Sequence, residues 1–165
     1  MGDVMSVASL RTTAGFAAGL LTFLAASAFA QGYPTMLQVS PQGGGRCIEV
    51  ANGDFIQDRG LQMAECNSSA AQIFVYDPAG MHLTIGGLCV DANGGKPGDL
   101  VKLQACAAGP NQIWKSQPKG NFTKLVGESG LCLDIRYGSK ESGAPVQSWT
   151  CGDSEPNQLW IFQRE

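Results

Sequence analysis

One pattern of cysteines and aromatic residues occurs three times along this chain of 165 residues. It reads Cys47-Ile48-Glu49, Cys66 and Gln72-Ile73-Phe74; then Cys89-Val90-Asp91, Cys106 and Gln112-Ile113-Trp114; then Cys132-Leu133-Asp134, Cys151 and Gln158-Leu159-Trp160. The opening cysteines lie 42 and 43 residues apart and the closing glutamines 40 and 46, which marks a tandem triplication. A unit of this length cannot bury an apolar face alone, so the three copies must share one core.

Short apolar runs, such as Thr35 to Val39, Leu88 to Val90, Val101 to Leu103, Phe122 to Val126 and Leu159 to Phe162, alternate with turn clusters at Gly43-Gly44-Gly45, Asn52-Gly53, Asn93-Gly94-Gly95 and Gly138-Ser139. This predicts an all-β chain with about four strands per repeat. The linking turns repeat as well: Pro78-Ala79-Gly80 starts four residues after Phe74, and Pro118-Lys119-Gly120 four after Trp114. Three blades make too small a propeller, whereas three such units can close one barrel with a hairpin cap, a trefoil with pseudo-threefold symmetry. In that arrangement Phe74, Trp114 and Trp160 fill the shared core, and the glutamine before each ties a neighbouring loop.

The start of the chain differs from the rest. Ala14 to Ala30 carries no charge, Arg11 precedes it, and Ala28-Phe29-Ala30 supplies a small-x-small cleavage box, so residues 1–30 read as a secretory signal peptide. An uncleaved membrane anchor is the competing reading, since 17 apolar-leaning residues nearly span a bilayer. Cleavage leaves residues 31–165, with repeats at about 35–79, 80–120 and 121–163, no membrane span, and a secreted or periplasmic location. That is one domain with a real core and no room for a separate catalytic domain.

Residues 31–165 hold 10 basic and 13 acidic side chains, a net charge of −3, which disfavours nucleic acid and anionic lipid as main partners. With no Cys-x-x-Cys pair and a single histidine, His82, no metal such as zinc is expected. Six cysteines behind a signal peptide read as three disulfides. Fifteen pairings are open in principle. The triplication selects one within each repeat: Cys47–Cys66, Cys89–Cys106 and Cys132–Cys151.

These residues carry a resemblance. The Cys-x-Asp opening, a second cysteine 17 to 19 residues on, and the closing Gln-x-Trp resemble the ricin-type β-trefoil lectin family over about residues 35–163. The resemblance implies a β-trefoil that recognises sugars, commonly galactose-type or xylose-type units in a glycan or polysaccharide, without a cofactor.

A sugar presents a face of C–H bonds and an edge of vicinal hydroxyls, so its site needs an aromatic platform and convergent acceptors. Only the third repeat has both. Gln147, Trp149 and Cys151 share one strand parity, and a bridge from Cys151 to Cys132 would hold them near Asp134. An ionised Asp134 could accept from two adjacent hydroxyls. Asn157 stands ready at the sugar's edge, and Gln158 is best assigned to holding Asp134 or a loop. At all five positions, Asp134, Gln147, Trp149, Asn157 and Gln158, the repeat is similar to the galactose-binding repeats of the family. Against this, Trp149 could belong to the core, and Asp134 could cap the turn at Tyr137-Gly138. The ligand reading expects both side chains to face solvent, so that replacing either leaves the melting temperature nearly unchanged.

The second repeat keeps Asp91 and Asn111 but has Lys102 and Gln104 where Gln147 and Trp149 stand; the first has Glu49, Ala64 and Ala71 and keeps only Gln62. A single shallow site gives about millimolar affinity once ordering costs offset a few hydrogen bonds and one aromatic contact. Useful attachment would then require self-association or a larger sugar-binding assembly. The leading expectation is a secreted, non-enzymatic sugar-binding protein. The alternative is a trefoil that binds proteins, or serves as a toxin accessory module, with a vestigial sugar site. A hydrolase using Asp134 and Asp153 has little behind it, because no histidine constellation and no length for a cleft remain.

Overall fold

The computed structural model describes residues 34–39 and 45–163; the expected signal peptide, residues 1–30, lies outside them. Twelve strands among the described residues form one hydrogen-bonded sheet system, with four falling in each repeat. The first repeat contributes β1 (Pro34–Val39), β2 (Arg46–Val50), β3 (Leu61–Glu65) and β4 (Ile73–Asp77). The second contributes β5 (His82–Ile85), β6 (Leu88–Asp91), β7 (Lys102–Gln104) and β8 (Trp114–Lys119). The third contributes β9 (Phe122–Gly127), β10 (Leu131–Ile135), β11 (Val146–Thr150) and β12 (Trp160–Gln163).

The outer strands of each repeat build a barrel, and the inner pairs β2–β3, β6–β7 and β10–β11 fold over one end as three hairpins. The first and last described strands meet where β1 pairs antiparallel with β12, Met36 opposite Gln163 and Val39 opposite Trp160. Cross-bonds join the hairpins around the axis: Leu61 N donates to Val101 O, Val101 N to Val146 O, and Met63 N to Ala144 O. An all-β trefoil of three four-stranded repeats is therefore what the triplication produces.

Two linking turns differ in detail despite their similar sequence. Gly120 and Asn121 alone separate the paired Lys119 and Phe122. Gly120, at φ 62°, supplies the mirror-type turn that matches strand twist. In the first link the Asp77 carboxylate accepts from the backbone of Ala79 and Gly80, which holds a longer turn.

Phe74, Trp114 and Trp160 each have 0% of their surface exposed and pack with Ile48, Met63, Leu83, Leu103, Leu125 and Leu133. The two tryptophans also find acceptors for their indole N–H: Trp114 donates to Val90 O at 2.9 Å and Trp160 to Leu133 O at 3.3 Å. One barrel seam is closed by a side chain. β5 and β8 share no ladder among the described residues; a single backbone bond, Trp114 N to Met81 O, crosses between them. Beside it the Tyr76 hydroxyl donates to Trp114 O at 2.9 Å and accepts from Ser116 N at 3.2 Å, while its ring stacks on Phe162 with centroids 5.9 Å apart. Tyr76, Ser116 and Phe162 each lie two residues after a core aromatic. The small serine gives the tyrosine room to bridge strands.

Three disulfides, Cys47–Cys66, Cys89–Cys106 and Cys132–Cys151, close inside their own repeats, and no cysteine among the described residues is free. Each pins the start of a cap hairpin's first strand to a residue one or two positions beyond the end of its second. On a chain-entropy model, closing loops of this length contributes on the order of 3 kcal/mol apiece.

Candidate functional site

Each glutamine of the Gln-x-aromatic triplet performs the same task. Gln72 Oε1 accepts from Asn67 N, and its Nε2 donates to Glu65 O and Glu49 Oε2. Gln112 does this with Ala107 N, Ala105 O and Asp91 Oδ2. Gln158 does it with Gly152 N, Thr150 O and Asp134 Oδ2. All three are buried, and a short 3-10 turn ending at each glutamine aims the amide inward. The acid after the first cysteine is thus a bracing partner in every repeat, with its backbone fixed by the adjacent disulfide.

In the third repeat that brace opens onto a cavity of about 520 Å³ lined by Asp134, Gln147, Trp149, Asn157 and Gln158, together with Tyr137 and Glu155. The β10–β11 register sets Asp134 opposite Gln147 and Cys132 opposite Trp149, so strand alternation brings Gln147 and Trp149 to the same side. Trp149 is 45% exposed. Its ring is outside the core already filled by Trp160, which rejects the core reading of this tryptophan.

Asp134 departs from the expectation of solvent exposure. Only 1% of its surface is accessible. Gln147 Nε2 donates to Oδ1 at 2.8 Å, while Gln158 Nε2, at 2.9 Å, and Asn157 Nδ2 donate to Oδ2. Three amides from two segments, β11 and the Pro156–Gln158 turn, converge on one carboxylate, so removing it would leave buried donors unpaired. An unchanged melting temperature is not expected for its replacement, and the proposed cap of the Tyr137-Gly138 turn is not formed. Nor are both oxygens free for a pair of hydroxyls: Oδ2 is fully used, and Oδ1 keeps one lone pair. Burial pushes the carboxyl up from its ordinary value of 3.8, opposed by the amide hydrogen bonds from Gln147 and Gln158 and assisted by the negative charge of Glu155.

Tyr137 was not visible as a wall residue in the pattern of cysteines and aromatics. It is 87% exposed, adopts φ 59°, and holds the Arg136 guanidinium 5.1 Å from its ring centre. The other repeats place Asn52 and Asn93 in left-handed backbone just after their own acids, where asparagine is favoured. Setting the three repeats side by side exposes an aromatic where asparagine is the cheaper choice.

The equivalent side chains of the other two repeats are engaged differently. Lys102 and Gln104 both turn to Asp58, the lysine at 3.9 Å and the amide at 2.9 Å. Glu49 is occupied by Gln62 and Gln72. Among the described residues no group of three or more His, Cys, Asp or Glu side chains could hold a metal ion, and no helix is long and apolar enough to cross a membrane.

A model of the ricin-type β-trefoil lectin domain matches residues 35–160. The chain belongs to the ricin-type β-trefoil lectin family. Membership supports carbohydrate binding for this lectin domain. The Beta-galactoside-specific lectin 2 of Viscum album is 42% identical over 43 residues, 26% of this chain and 8% of that protein. The chain therefore spans a small part of that relative. Among solved structures, the designed 3-fold symmetric protein ThreeFoil superposes with a TM-score of 0.70 at 21% identity, covering 78% of this chain and 96% of its own. The C-half of the earthworm R-type lectin, solved in complex with GalNAc, gives 0.66 at 18% identity, covering 81% of this chain and 99% of its own. At these identities the superpositions establish the trefoil fold of this lectin domain.

Proposed function

We propose that the third repeat is the carbohydrate site of a secreted or periplasmic, non-enzymatic lectin, and that it takes galactose-type or related sugar units. The observation that carries this reading is the half-exposed Trp149 ring beside a hydrogen-bonded Asp134 in one cavity. The ring offers a π face to the C–H side of a pyranose, and polar groups wait at its edge. Asp134 Oδ1 accepts one hydroxyl. Asn157 is the least buried of the three amides on the carboxylate, and its Oδ1 is available as an acceptor, so it is the group that turns toward the sugar. Gln158 stays behind as a brace because its amide is committed to Thr150 and Gly152 as well. The relative from Viscum album, a lectin for β-galactosides by its name, and the GalNAc complex of the earthworm protein favour the galactose family of ligands.

Residues 31–165 are the domain this reading assigns to sugar binding, with one competent site among three repeats. One shallow site leaves roughly 4 kcal/mol, or about millimolar affinity, so copies on one surface or in a self-associated particle would supply avidity. Binding of the purified protein to immobilised neutral glycans tests the reading, with Trp149→Ala beside it. Loss of binding with the fold intact is the expected result. A Trp149→Ala protein that binds as before would reject Trp149 as the platform, and a parent protein that binds no glycan would turn attention to a protein partner.

A further inference from the structure

Next to the proposed sugar site, along the Cys151-Gly152 segment, lies a second cavity of about 310 Å³. Cys151 and Gly152 line both cavities. Into the second comes Lys124, a β9 lysine with only 6% of its surface exposed. Its ammonium donates to Gly152 O, and no carboxylate of the described residues lies in ion-pair range of it. Two of its three N–H donors are left over. A buried cation with donors to spare and no counter-charge is costly unless an anion completes it. Lys119 stands at the same cavity, half exposed and 3.9 Å from a fully exposed Asp153, a solvent-screened pair of little strength that does not tie the lysine down.

We propose that this cavity is an anion subsite for a carboxylate or sulfate group carried on the glycan whose neutral sugar occupies the neighbouring cavity, with Lys124 as the primary contact and Lys119 at the rim. The shared wall places the two ligand groups on adjoining units of one saccharide. The chain's overall charge of −3 favours a single anionic substituent over a polyanion, because the cations are local and the surrounding field is negative. Gly152 couples the cavities: its N–H donates to Gln158, which braces Asp134, and its carbonyl accepts from Lys124. An anion that draws Lys124 off that carbonyl acts on the same residue, through the neighbouring peptide unit, that steadies the sugar site.

The proposal rests on the sugar reading of the first cavity, and the measurements separate the two. Inorganic sulfate titrated into the protein is expected to shift the Gly152 amide resonance saturably, and Lys124→Met to abolish that shift while the rest of the spectrum is kept. Galactosides bearing a sulfate or a linked uronic acid should bind about tenfold tighter than the neutral parent, the weight of one charge-assisted hydrogen bond, and the gain should shrink at high salt. Comparing the sulfated with the uronic ligand tells which group is taken. An unmoved Gly152 resonance, or a shift that survives Lys124→Met, overturns the subsite even if neutral galactosides bind. Sulfate binding without any neutral galactoside binding removes the sugar reading and leaves the anion site standing. Equal affinity for charged and neutral glycans breaks the proposed link between the cavities. Should Lys124→Met fail to fold, Lys119→Ala carries the test: about a threefold loss of the anionic preference with neutral binding unchanged supports the subsite, and no loss refutes it.

Discussion

In the proposed sugar site Asp134 would serve two purposes that pull its protonation in different directions. As the acceptor for a sugar hydroxyl it would be ionised, whereas burial favours its neutral form and raises its pKa above 3.8. Sugar binding should therefore weaken on acidification at a pH above that of an ordinary aspartate, and calorimetric titration of a galactoside across the acid range would show it. For stability the sign is the reverse. A carboxyl whose folded pKa is raised contributes stability below its unfolded value of 3.8 and loses that contribution as pH rises through the folded value. Urea unfolding should show the native protein losing ground to Asp134→Asn between pH below 3.8 and neutral pH. Asp134→Ala should cost about 1–3 kcal/mol, because the Gln147, Asn157 and Gln158 amides lose their common acceptor. Trp149→Ala should leave the melting temperature nearly unchanged and abolish binding. Strand parity alone made the shared face of Gln147 and Trp149 legible. The burial of Asp134 was not, because it depends on amides arriving from both β11 and the Pro156–Gln158 turn.

At the scale of single elements, the β10–β11 hairpin carries the site, and the Cys132–Cys151 bridge locks its open end beside Trp149. Replacing both cysteines by serine should cost about 2–4 kcal/mol and also weaken sugar binding, whereas the same change at Cys89 and Cys106 should lower the melting temperature by a similar amount and spare binding. Comparable binding losses in both double variants would show that the bridges act only through global stability. The hairpins and their bridges follow from spacing, since every cysteine has a partner at a repeated distance. The seam between β5 and β8 does not. Tyr76 has serine and phenylalanine as its counterparts, so no repeated signal marks it, and its bridging role appears only when the barrel closes. Tyr76→Phe should lower stability by about 1–3 kcal/mol, read by denaturant unfolding, because Ser116 N–H and Trp114 C=O lose a shared partner.

For the whole molecule, three large rings at one centre make cohesion a shared property of the repeats. Trp160→Ala should destabilise the protein by about 3–5 kcal/mol and broaden its effect beyond the third repeat, with amide exchange rising in all three hairpins. Exchange confined to residues of one repeat would mean that the units are independently stable. Pseudo-threefold architecture was readable because the core residues recur in register; the proposal that the third repeat binds the ligand rests in the sequence on the aromatic before the last cysteine. The clamp between each glutamine and its acid has a consequence for how such chains diverge after duplication. Glu49 and Asp91 sit in repeats without a sugar platform, yet each still anchors a glutamine that the barrel requires. Folding alone is enough to retain an acid there, so surveying trefoil sequences by that residue would overcount their working sites.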